Sequence, residues 1–132
     1  VLRASEAGAV DTEKISEFFA SELYQRIKKA DKIYREQKFA YLMSVCDADP
    51  SADIKYKDET VLVQGIADCI IEEHGVLTII DYKTDRVKNV QTLKDHYSRQ
   101  LEIYADAFGK CMEKPVKEKL LYSFELNKTV NI

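Results

Sequence analysis

Two aspartates and a lysine, Asp68, Asp81 and Lys83, fall within one short and strongly β-forming stretch of the 132-residue sequence. Val61–Ile71 and Val76–Tyr82 read as two strands separated by Glu72-Glu73-His74-Gly75. The last two of these residues suit the positive φ angles of a two-residue hairpin turn. A turn about the His74–Gly75 bond sets Asp68 directly across from Asp81, with β-carbons about 4.5–5.5 Å apart on one face. The strand period of two then puts Lys83 on that face and Tyr82 on the other. Opposed carboxylates repel, so such a pair either keeps a proton or holds a cation. Hard oxygen ligands favour Mg2+, which takes one or two carboxylates and leaves positions for water and substrate phosphate. A metal held this way polarises a phosphoryl oxygen and acidifies its bound water, and a nearby lysine orients that nucleophile or offsets developing charge. This is the chemistry of phosphodiester hydrolysis. Spacing alone leaves a second reading open: two unrelated strand-end carboxylates facing water, with Lys83 as their solvated partner, since an odd-length loop shifts the register by one.

The elements that must position these groups follow from hydrophobic period. From Asp11 or Thr12, either of which can cap, Ile15, Phe18, Phe19, Leu23 and Ile27 recur at helical spacing, and the helix is expected to fray near Ala30. Lys28, Lys29 and Lys32 crowd its C-terminal end, where cations suit the helix dipole. Tyr34–Cys46 reads as a first strand, with Phe39, Tyr41, Met43 and Val45 alternating against Lys38, Ala40, Leu42 and Ser44. Asp47–Asp58 carries turn chemistry and reads as a loop. A second helix from Thr92 places Leu93, Tyr97, Leu101, Tyr104, Ala105 and Phe108 on one face, with Gly109 as its terminator and Pro115 beyond. Lys119–Leu126 alternates again and adds a strand. This order predicts an α/β fold, a mixed β-sheet with a central hairpin flanked by helices.

Hydrophobic residues make up 45% of the chain and charged residues 33%, which excludes a disordered protein, and no apolar run reaches a membrane-spanning length. Cys46, Cys69 and Cys111 form neither a paired disulfide framework nor a CxxC metal site, and read as reduced thiols of a cytosolic protein. The net charge of -3 argues against nucleic-acid binding by bulk electrostatics and requires a local basic patch, for which Arg86, Lys88, Lys94 and Arg99 are the candidates. Val1–Val10 has no secretory pattern. The absent initiator methionine suggests a piece of a longer polypeptide.

The residues also carry a series in order: Gly65-Ile66-Ala67-Asp68, then Asp81-Tyr82-Lys83-Thr84-Asp85, then Gln100-Leu101-Glu102-Ile103-Tyr104-Ala105. This resembles the GxxD, DYKTD and QLxxYA series of RecB-like nucleases in the PD-(D/E)xK superfamily. The flanks Phe18–Leu23, Tyr34–Phe39 and Leu121–Phe124 are similar to those of AddA-type helicase-nucleases, so the resemblance covers nearly the whole chain. It implies a restriction-endonuclease-like fold and one nuclease domain spanning residues 1–132. The implied activity is Mg2+-dependent exonucleolytic hydrolysis of DNA, with Mn2+ as a substitute, in double-strand break repair and recombination. It further implies an AddB-type partner, no membrane association and a bacterial cytoplasmic location. Position by position, Asp68, Asp81 and the Tyr82 main-chain carbonyl correspond to metal ligands and Lys83 to the catalytic lysine. Gln100 and Tyr104 correspond to residues that position the active site or the DNA strand, and Glu36 to a glutamate near the metal.

The chain departs from the family pattern at Gln37-Lys38-Phe39, where the family often has a proline before the phenylalanine, and more seriously in that the GxxxH-like helix ahead of the nuclease core is missing and neither His74 nor His96 replaces it. The expectation is a domain that begins after that helix, folds and binds metal, and cuts DNA weakly or not at all by itself. The cysteines cannot supply the iron-sulfur cluster of some relatives. No GxxxxGK[ST] loop is present, which assigns any ATP site to a helicase part outside this sequence. The competing reading is a catalytically silent nuclease-like domain that binds DNA or docks another protein of the complex.

Overall fold

A computed structural model describes residues 12–132, so Asp11 as a cap and the reading of Val1–Val10 lie outside the described residues. Five strands form one mixed sheet in the order β1 (Lys32–Ser44), β2 (Thr60–Glu73), β3 (Val76–Lys83), β4 (Val116–Ser123) and β5 (Lys128–Asn131). All neighbours are antiparallel except β3 and β4, which run parallel. A parallel pair requires a long crossover. The helix α4, Val90–Met112, supplies it. Helices α1 (Thr12–Phe19) and α2 (Glu22–Lys29) precede β1, and the short α3 (Val45–Ala48) follows it. The expected α/β architecture with a central hairpin is therefore observed.

Each face of the sheet buries its own core. On one side Phe18, Leu23 and Ile27 from α1 and α2 cover Cys69, Ile71, Ile80, Tyr82, Leu120, Tyr122 and Phe124. On the other, Leu93, Leu101, Ala107 and Phe108 of α4 cover Phe39, Ala67, Ile70, Ile79 and Leu121. β3 lies between β2 and β4, and its period of two sends Ile80 and Tyr82 to the first core and Ile79 to the second.

Four local expectations are corrected. The single N-terminal helix is two, because the Ser21 hydroxyl donates to the Phe18 carbonyl (2.6 Å) and accepts from the Tyr24 amide (3.2 Å), restarting the helix with a new cap. The first strand stops at Ser44, whose side chain accepts from the Cys46 amide and caps α3, so part of the expected loop is helical. Gly109 does not end α4. Glu113 does, adopting a left-handed conformation (φ 54°) and donating its amide to the Gly109 carbonyl. The last expected strand, Lys119–Leu126, starts earlier, at Val116, and ends at Ser123; residues 124–127 turn, with Asn127 left-handed (φ 50°), and β5, beyond the expected run, folds back on β4.

Candidate active site

The hairpin turns as its sequence requires, with His74 at φ 52° and Gly75 at φ 79°. Its ladder runs from Glu73–Val76 to Cys69–Ile80 and stops there. β2 continues along β1 while β3 continues along β4, so the two strands part just beyond that last pair. Asp68 and Asp81 are the next residues on their strands, one on each side of the opening fork. Both are almost fully buried, at 2% and 4% exposure.

Burial of a carboxylate is costly without hydrogen bonds or a counter-charge. Asp68 Oδ2 accepts the Tyr82 backbone amide at 2.9 Å, so a side chain takes the donor that a continuing ladder would have claimed. Asp81 Oδ2 lies 2.8 Å from Lys83 Nζ. Within a strand a residue's N–H and C=O point the same way. The Tyr82 carbonyl therefore faces the Asp68 side, while the next carbonyl, that of Lys83, accepts from Phe124 in the opposite direction. The Tyr82 ring sits in the core under α1, on the face away from Lys83, and burial pushes its hydroxyl pKa up. Two buried carboxylates and, by this alternation, a main-chain oxygen border the fork.

α4 closes the site from above. The Lys83 ammonium sits 3.9 Å from the centre of the Tyr97 ring, a cation–π contact, and the Tyr97 hydroxyl donates to Asp85 Oδ2 at 2.7 Å. Burial, with Asp85 beside it, raises the Tyr97 pKa to about 12. One turn further on, Gln100 Nε2 donates to the Tyr104 hydroxyl at 3.2 Å. The Tyr104 ring meets Phe39 edge-on at 5.1 Å and lies over Gly65, where a β-carbon would come within 2.8 Å of its hydroxyl oxygen. This close approach is the physical reason for glycine at the head of the Gly65–Asp68 segment.

The structure thus brings together Asp68, Asp81, Tyr82 and Lys83, and sets Gln100 and Tyr104 against the neighbouring part of β1 and β2. It adds Tyr97 and Asp85, a pair that sequence reasoning misses: Tyr97 reads there only as part of the apolar stripe of the helix, and Asp85 only as the end of a motif. Glu36 is exposed, with a left-handed backbone (φ 48°). Arg99 is engaged by the Asp47 carbonyl and by Glu102, leaving Arg86, Lys88 and Lys94 of the expected basic patch.

Among the described residues no group of three or more His, Cys, Asp or Glu side chains is gathered for a metal. Two carboxylates and a carbonyl are instead a small, all-oxygen donor set. Such a set matches Mg2+, which keeps several waters and shuns all-protein cages.

Residues 3–130 match the profile of the PD-(D/E)XK nuclease superfamily. The chain belongs to that superfamily. Within it, the chain is 39% identical to an AddA-type ATP-dependent helicase/nuclease of Bacillus mycoides, over 100% of its own length and 11% of the relative's. It is likewise 39% identical to the protein of the same name from Clostridium beijerinckii, over 99% of this chain and 11% of that one. The chain therefore spans about a tenth of the relatives it matches. The crystal structure of SSO0001 shares the fold, with a TM-score of 0.50 at 17% identity, covering 89% of this chain and 48% of the other.

Proposed function

We propose that this chain hydrolyses DNA phosphodiester bonds with Mg2+, as the exonuclease domain of an AddA-type helicase-nuclease that repairs and recombines double-strand ends. The observation that carries the reading is the fork: Asp68 and Asp81, both buried, are the first residues beyond the last hairpin pair, with Lys83 on the second of them. Asp68, Asp81 and the Tyr82 carbonyl are the groups that would hold the metal. Bound there, Mg2+ would polarise a phosphoryl oxygen and lower the pKa of water.

The chain's own groups divide the remaining work. The Lys83 ammonium is half-buried against Tyr97 and tethered to Asp81, so it offers a fixed positive charge to the phosphate as negative charge builds there. Tyr97, braced by Asp85, keeps that ammonium from swinging into solvent. The Gln100–Tyr104 pair, on the same face of α4, orients the strand entering the fork, and Arg86, Lys88 and Lys94 meet its flanking phosphates. The expected setting is the bacterial cytoplasm, with DNA and an AddB-type protein as partners and ATP bound elsewhere in the assembly.

Asp81→Asn tests the reading. With Mg2+ and linear double-stranded DNA, in single-turnover conditions and within the full-length protein, it should lower cleavage by roughly a hundredfold or more while the fold persists. An undiminished rate would refute it. The silent DNA-binding alternative reads the Lys83–Asp81 ion pair as a structural contact only. That alternative predicts DNA binding indifferent to Mg2+, no divalent-metal binding, and no loss of cleavage in the full-length protein when Asp81 is replaced.

A further inference from the structure

The β1–β2 ladder has one gap. It bridges Lys32–Glu72 through Arg35–Cys69, resumes at Gln37–Ala67 and continues to Ser44–Thr60, skipping Glu36 opposite Asp68. At that gap Glu36 takes φ 48°, the left-handed region that residues with a β-carbon seldom enter.

The sheet changes face at the same place. In an unbroken strand residues two apart share a face. Before the gap, Ile33 packs with the α1–α2 core and Tyr34 with the α4 core; after it, Phe39 and Tyr41 both join the α4 core. Odd-numbered residues have crossed from one side to the other. β2 does the same, with Cys69 and Ile71 in the α1–α2 core but Ala67 and Val63 in the α4 core. Both strands invert together, so their register survives the change.

Two consequences reach the site. The inversion brings Phe39 against Tyr104 and sets Gly65 beneath it. It also takes Asp68 out of the ladder, and its carboxylate reaches across the fork to the Tyr82 amide. We propose that Glu36 is a positioning residue whose left-handed backbone, and not its carboxylate, turns Asp68 toward the metal-binding fork and aims the far half of β1 and β2 at Gln100 and Tyr104. The metal part of this inference rests on the proposed function; the orientation of Asp68 does not.

The test substitutes position 36 in the 132-residue chain and reads two signals: hydrogen-exchange protection of the Tyr82 amide by NMR, and Mn2+ affinity by calorimetry. Glu36→Gly and Glu36→Asn, both freer in the left-handed region, should match or exceed the parent in both signals. Glu36→Gln, which removes only the charge, should stay within about threefold of the parent. Glu36→Val, β-branched, should lose roughly tenfold or more in each. If Glu36→Val fails to fold, the glycine and asparagine variants still decide, because loss of Tyr82 protection in either overturns the proposal. Weak Mn2+ binding in both Glu36→Gly and Glu36→Gln, with Tyr82 still protected, would assign the role to the carboxylate and overturn it as well. Absent Mn2+ binding in the parent counts against the proposed function, while the amide series continues to judge the positioning role.

Discussion

Gly65 offers the sharpest test of how the site is packed. A β-carbon added there would lie 2.7 Å from Phe39 Cε1, 2.8 Å from the Tyr104 hydroxyl oxygen and 3.0 Å from Tyr104 Cε1. Carbon atoms settle at about 3.5–4.0 Å, so Gly65→Ala asks for a displacement of nearly 1 Å. Neither ring can give freely, since Phe39 is buried and wedged edge-on between Tyr104 at 5.1 Å and Phe108 at 4.9 Å. Overpacking of this kind costs about 1–3 kcal/mol. The reduced backbone freedom of alanine in a strand returns about 0.5–1 kcal/mol. The net expectation is a loss of up to about 2.5 kcal/mol, seen as a lower urea midpoint at unchanged m-value. Movement of the Tyr104 ring would also break the Gln100–Tyr104 hydrogen bond, so cleavage should fall further than stability explains. Phe39→Leu in the Gly65→Ala background should recover part of the loss, because it removes the nearest clashing atom. Gly75→Ala is the control: nothing lies within 4 Å of the added atom, its cost is backbone strain at φ 79°, and the site should be untouched. A Gly65→Ala protein with the parent's midpoint and cleavage rate would refute the packing argument.

Three further outcomes follow from the same geometry. Lys83→Met removes the ammonium from Asp81 and Tyr97; cleavage should drop by roughly a hundredfold, while Mn2+ affinity in calorimetry should hold or rise because Asp81 is released. Tyr97, whose pKa is raised above its ordinary value of 10 to about 12, keeps its proton in the folded state after the unfolded chain has lost it. Its contribution is therefore complete below pH 10 and lost as pH rises toward 12, and Tyr97→Phe should flatten that part of the denaturation-midpoint profile. Arg26 joins Glu73 at 2.7 Å and Glu118 at 2.6 Å on partly exposed ground, so Arg26→Met should cost about 1 kcal/mol in urea denaturation and leave metal binding unchanged.

The hairpin was legible because its signals are local. Two β-branched runs and a His-Gly turn fix a register with no help from the rest of the chain, and that register holds from Glu73–Val76 to Cys69–Ile80, one pair short of Asp68 and Asp81. The α4 stripe was legible for the same reason, though its end was misplaced: Gly109 is a good terminator by type, but the helix stops where Glu113 can turn left-handed before Pro115. The fork itself was not legible. It depends on β2 following β1 and β3 following β4, a choice made by tertiary pairing. Glu36 shows the limit most plainly. Arg35-Glu36-Gln37-Lys38 is a polar run inside a stretch that otherwise reads as one strand, and no glycine or asparagine there announces a left-handed residue. Tyr97 and Asp85 were visible as residues, but their bond joins a helix to the loop after β3 and exists only once α4 docks.

The central claim is that Asp68 and Asp81 form one divalent-metal site, and calorimetric titration of Mn2+ into the 132-residue chain tests it most directly, with Asp68→Asn and Asp81→Asn as companions. The account predicts one saturable site in the parent that is lost in both variants while their circular dichroism stays that of the parent. A folded parent that takes up no Mn2+, or a variant that binds as the parent does, would contradict it.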